Sequence, residues 1–135
     1  MKFLMLIKHS ESYRSQPIPQ GLMDAMGKFV EQGFKSGVLK DTAGLKPTAE
    51  GHRIRSSGGK LHATDGPFTE AKELIAGYTL IQVKSREEAM EWARRFPNPS
   101  LGDGEIEVRQ VFELEDFGAS PAIERFREME ARTRK

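Results

Sequence analysis

The stretch that decides the fold is Tyr78-Thr79-Leu80-Ile81-Gln82-Val83-Lys84-Ser85, followed directly by Arg86-Glu87-Glu88-Ala89-Met90-Glu91-Trp92-Ala93-Arg94-Arg95-Phe96-Pro97. Residues 78–83 are rich in β-formers and stop at Lys84-Ser85, so they predict a strand. In the second half Ala89, Trp92, Ala93 and Phe96 recur at helical spacing, and Pro97 and Pro99 end the run. Ser85 is placed to cap the first turn while Glu88, three residues on, reaches back. A strand that runs straight into a capped amphipathic helix is the unit of a mixed α/β sheet protein.

Working towards the N-terminus, Ser56-Ser57-Gly58-Gly59-Lys60 separates Arg53-Ile54-Arg55 from Leu61-His62-Ala63. Paired glycines supply the positive φ angles of a tight hairpin. Val38 and Leu39 begin a short extended piece, and Gly44, Pro47 and Gly51 punctuate the turns after it. Leu22, Met26, Phe29, Val30 and Phe34 predict an amphipathic helix ending near Gly37. Phe3 to Ile7 reads as a strand buried on both faces.

Towards the C-terminus, alternation from Ile106 to Leu114 predicts a long half-exposed strand, with Ile106, Val108, Gln110, Phe112 and Leu114 on one face. Ser120 then starts a charged helix through Arg132, whose Ile123, Phe126 and Met129 form a narrow apolar stripe suited to an edge or a neighbouring subunit. The order β, α, β, hairpin, β, α, β predicts a ferredoxin-like α+β fold with an inserted hairpin and a C-terminal helix. Both helices fall on one sheet face, so the other face needs a cover, and a second copy supplies it. The expected assembly is a homodimer.

At 135 residues the chain suits one domain, 1–135. With 21 basic and 20 acidic residues the net charge is +1, which gives no global field for nucleic acid or an anionic membrane. The absence of cysteine excludes disulfides, thiol nucleophiles and cysteine-ligated metals. The apolar run at residues 3–7 is too short for a signal core or a span, so the expectation is a cytoplasmic protein with no membrane partner.

Residues 65–73, Asp65-Gly66-Pro67-Phe68-Thr69-Glu70-Ala71-Lys72-Glu73, hold a rigid turn and four ionisable side chains. Two roles fit Asp65: it faces a cavity as a catalytic group, or it bonds the local backbone and holds the turn. Glu70, Lys72 and Glu73 offer a carboxylate and an ammonium to a polar ligand, or form only a solvated local ion pair. His62, three residues before Asp65, is the expected acid/base partner of that carboxylate, against the commoner fate of a surface histidine. His9 ends the first strand, where sheet-end loops often form sites, while His52 sits in an expected exposed turn. Arg55 and Arg109, with Arg53, are candidate anchors for a carboxylate or phosphate, or partners in structural salt bridges. Three scattered histidines make no metal motif, and no cofactor motif is present.

The segment resembles the DGPFxExKE signature of the YCII-related family, with all seven specified positions present. Gly44-Leu45-Lys46-Pro47, Glu88-Ala89-x-x-Trp92-Ala93 and Glu107-Val108-Arg109 extend the resemblance over nearly the whole chain. It implies a dimeric α/β barrel. Departures are Ala76, where the family commonly has the first of two glycines, and Gln110, where a proline often follows the arginine. Smaller YciI-type members resemble enzymes through a histidine in the first helix and an aspartate after the second. Here no histidine lies between Leu22 and Gly37, and Phe96-Pro97 occupies the second place, so that pair does not transfer. The function implied is binding of a small polar or anionic organic ligand near the signature, with or without isomerase- or lyase-like proton transfer. A second implied role is a non-enzymatic module, from the family's association with sigma factors.

Overall fold

The computed structural model describes residues 1–9, 19–68, 74–97 and 104–133. Strand β1 (Lys2–His9) alternates buried and half-buried residues, as a central strand does. Helix α1 spans Gln20–Lys35, and β2 spans Leu39–Gly44. A hairpin of β3 (His52–Ser57) and β4 (Lys60–Asp65) follows, turning at Gly58 and Gly59 with φ of 58° and 78°. Then come β5 (Leu74–Gln82), α2 (Arg86–Arg94), β6 (Glu105–Gln110) and α3 (Pro121–Thr133).

The fold is α+β, with a four-stranded sheet of order β2-β5-β1-β6 whose three pairings are antiparallel, and a separate two-stranded sheet β3-β4. The four-stranded sheet is open: one chain closes no barrel. Register sorts its faces. Phe3, Met5 and Ile7 oppose Ile81, Thr79 and Gly77 on one side and Gln110, Val108 and Ile106 on the other. This face carries α1 and α2, and the core of Phe3, Met5, Leu39, Ile81, Phe29, Ala89 and Trp92 lies between. Phe29 meets Trp92 and Phe96 edge-on, with ring centroids 5.7 and 5.1 Å apart.

The opposite face presents Leu4, Leu6, Tyr78 and Leu80, all half-buried. Lys8 bridges Glu107 at 2.6 Å, and the Tyr78 hydroxyl donates to Asp41 at 3.0 Å. Lys8 hydrogen bonding and charge hold the Glu107 carboxyl below its usual pKa, and the bond to Asp41 pushes the Tyr78 phenol up.

Helix α2 is capped as its sequence predicts at one end of the box: Ser85 Oγ accepts from the Glu88 amide at 3.2 Å. Glu88 itself reaches one residue further than expected, to the Lys84 amide at 3.1 Å. Ser120 Oγ likewise accepts from the Ile123 amide and starts α3. The long strand expected to reach Leu114 stops at Gln110, because Gln110 already pairs with Phe3 and β1 has almost no residues left to pair. Strand β5 starts four residues before the expected Tyr78, drawn out by pairing of Leu74 with His9 across an irregularity at Ile7/Lys8.

Candidate functional site

The first half of the signature forms a clasp at the base of the hairpin. A Cβ on Gly66 would lie 1.6 Å from the Thr48 carbonyl oxygen, so only glycine lets these backbones approach so closely. The Gly66 amide donates to the Gly51 carbonyl at 2.9 Å, and the Phe68 amide donates to Thr48 Oγ1 at 3.1 Å. Phe68 is buried, with the Arg53 guanidinium 3.9 Å from its ring centroid. Asp65, the last residue of β4, meets His52, the first of β3, with Oδ1 to Nδ1 at 2.8 Å.

The expected His62–Asp65 pair is not formed. Residues three apart on a strand point to opposite faces, so His62 opposes Arg55 on one face while Asp65 opposes His52 on the other. Counting outward from the Gly58-Gly59 turn pairs Ser57 with Lys60 and, rung by rung, His52 with Asp65, so this partner was legible from turn register. His52 lies at the start of a strand, not in the turn expected for it. The pair stands in water, with side chains 70% and 86% exposed. A polar contact so exposed to water is weak.

Arg55 is exposed on the hairpin, and Arg109 lies exposed on the open sheet face, its Nη1 3.8 Å from Glu107. The structure therefore brings neither to the His52–Asp65 pair. Glu70, Lys72 and Glu73 lie outside the described residues. Among the described residues, no three His, Asp or Glu side chains cluster closely enough to hold a metal ion. No described helix is long and apolar enough to cross a membrane.

A cavity of about 280 Å³ opens between the N-terminal half of α1 and the sheet. Its origin is local. At its C-terminal half α1 sits hard on the sheet, where a Cβ on Gly33 would lie 2.7 Å from Leu39 Cβ. Towards the N-terminus the larger Leu22, Met23 and Met26 hold the helix off, and they roof the space above Ile7, His9, Thr42 and Thr79. Phe96 closes another side.

His9, the residue that ends β1, lies on this wall and is only 5% exposed. Beside it a hydroxyl chain runs through the floor. Thr42 Oγ1 donates to the Tyr78 carbonyl at 3.2 Å, which leaves its lone pairs to accept from Thr79 Oγ1 at 2.9 Å. The wall is otherwise apolar. That differs from the polar recess expected around Asp65, which does not line this cavity. Thr42, Thr79 and the α1 methionines were missed because Thr reads as an ordinary β-former and Met as core.

These features define a small antiparallel α+β domain with an apolar recess under its first helix and a signature turn locked to its hairpin. The YCII-related domain model matches residues 1–115, and the chain belongs to that family. It is also similar to an uncharacterised protein of Rhizobium meliloti (strain 1021), at 33% identity over 118 residues covering 82% of this chain and 92% of that protein. Helix α3, from Pro121, lies beyond the matched segment.

Proposed function

We propose that this protein is a homodimeric small-molecule-binding domain, two ferredoxin-like units set sheet against sheet as a dimeric α/β barrel, with a ligand under each first helix. The strand order β2-β5-β1-β6 with its helices on one face supports the unit. The apolar, only half-buried Leu4, Leu6, Tyr78 and Leu80 on the other face support the pairing. His9 carries the binding reading, because its imidazole, with the Thr42 and Thr79 hydroxyls, gives a largely apolar wall a polar corner for a polar or anionic group. The ligand is an organic molecule with an apolar body and one such group, and any isomerase- or lyase-like proton transfer runs through His9 rather than through His62 and Asp65.

Size sets the affinity. A cavity of about 280 Å³ lies at the small end of ligand sites, so the occupant is fragment-sized, roughly eight non-hydrogen atoms. At about 0.5 kcal/mol per atom that gives roughly 4 kcal/mol, a millimolar Kd. Thermal-shift and NMR titration with C4–C8 carboxylic acids and alcohols at about ten times that concentration should raise stability by roughly 1.4 kcal/mol. His9→Leu should weaken acids and alcohols selectively, and Met26→Trp should fill the recess and abolish binding of both. Compounds that bind equally well to both variants, or none that bind the parent chain, would sink this reading.

A further inference from the structure

Among the described strands, those of the hairpin are the least buried. Every residue of β4 is exposed, and in β3 only Arg53 is half-buried. Contacts at its base hold it, through Gly66 and Phe68. A two-stranded ribbon with both faces in water is marginal by itself.

Its two faces differ. Register places His52, Ile54 and Ser56 opposite Asp65, Ala63 and Leu61, so Ile54, Ala63 and Leu61 form one contiguous apolar patch. Ile54 and Leu61 are 73% and 74% exposed, more than any other large hydrophobic residue among the described residues. The other face pairs Arg53, Arg55 and Ser57 with Thr64, His62 and Lys60, and is basic. Burial rewards the first face and penalises the second.

The occupant follows from area. Four strands about 4.8 Å apart and six residues long cover roughly 400–600 Å² once side-chain relief is counted. A standard stable interface needs about 800 Å² from each partner. The open sheet face is therefore too small to hold two copies together by itself. In a two-fold dimer any added contact is made twice, so one arm per subunit supplies two patches.

We propose that the β3–β4 hairpin is a dimer arm, laying its Ile54–Ala63–Leu61 face on a second copy of this chain while Arg55, Lys60 and His62 stay in water. This rests on the dimer reading above and goes beyond it, since the arm leaves the sheet between β2 and β5. The basic face gains nothing from the contact.

Sedimentation velocity over a dilution series tests it. Ile54→Ser/Leu61→Ser is expected to raise the dimer dissociation constant by about tenfold or more, and Arg55→Ser/His62→Ser to leave it within about twofold. The chain has no cysteine, so Leu61→Cys gives a second readout: maleimide labelling of this variant should slow as protein concentration rises through the dimerisation range. A dimer unaffected by Ile54→Ser/Leu61→Ser, a dimer equally weakened by both pairs, or a Leu61→Cys chain labelled at a concentration-independent rate overturns the arm and leaves the dimer standing. A parent chain that stays monomeric at high concentration overturns both.

Discussion

Gly66→Ala should cost far more than an exposed turn substitution. The added methyl would lie 1.6 Å from the Thr48 carbonyl oxygen and 2.6 Å from its carbon, both backbone atoms that cannot swing aside. The clasp must open instead. Opening removes the Gly66–Gly51 and Phe68–Thr48 hydrogen bonds, each worth about 1 kcal/mol net. It also returns part of the Phe68 ring to water, roughly another 1–2 kcal/mol. The total is about 3–4 kcal/mol, or a fall in Tm of roughly 10 °C for a chain of this size. Trp92, the one tryptophan, sits in the core and reports urea unfolding by fluorescence. The midpoint should drop with little change in slope. A loss under about 1 kcal/mol, with the Phe68 amide still protected from hydrogen exchange, would refute the clasp.

Gly27→Ala and Gly33→Ala, both in α1, should have opposite signs. A Cβ at Gly27 meets nothing within 4 Å and gains about 1 kcal/mol of helix propensity, whereas one at Gly33 drives into Leu39 and should cost about 1–3 kcal/mol by the same urea assay. Asp65→Asn should change stability by less than about 1 kcal/mol, since its bond to His52 is solvent-exposed; a larger loss means the pair holds the hairpin. Glu107 has a folded pKa below its unfolded value, so its contribution is complete above about pH 4.3 and is lost as pH falls through the folded pKa. Urea midpoints should therefore drop between pH 7 and pH 3 by less in Glu107→Gln than in the parent chain, and equal drops would exclude Lys8–Glu107 as a contributor.

Local chemistry made much of the fold legible. The apolar run at residues 3–7, helical spacing from Leu22 to Phe34, the Ser85 and Ser120 caps and the Gly58-Gly59 turn each depend on neighbours within a few residues. They reappear in β1, α1, α2, α3 and the hairpin. Strand ends were less legible. Ile106 to Leu114 alternates except at Gln110 and Val111, yet pairing ends when β1 runs out, while Leu74-Ile75-Ala76-Gly77, where only Ile75 is a strong β-former, is a strand because His9 and Lys8 lie opposite.

The candidate site divides along the same line. His9 was visible as a strand-end residue, but nothing in its neighbours says that α1 would stand off the sheet and leave a recess beside it. That depends on the close approach of Gly33 to Leu39 at one end and on Leu22, Met23 and Met26 lining the recess at the other.

By itself the sequence determined periodicity, caps and turns, because these arise from backbone sterics and hydrogen bonds within one or two turns of chain. Tertiary structure alone decided that Lys8 meets Glu107 and where the packing leaves space. Those outcomes depend on distances between residues far apart in the chain, which no short-range pattern encodes.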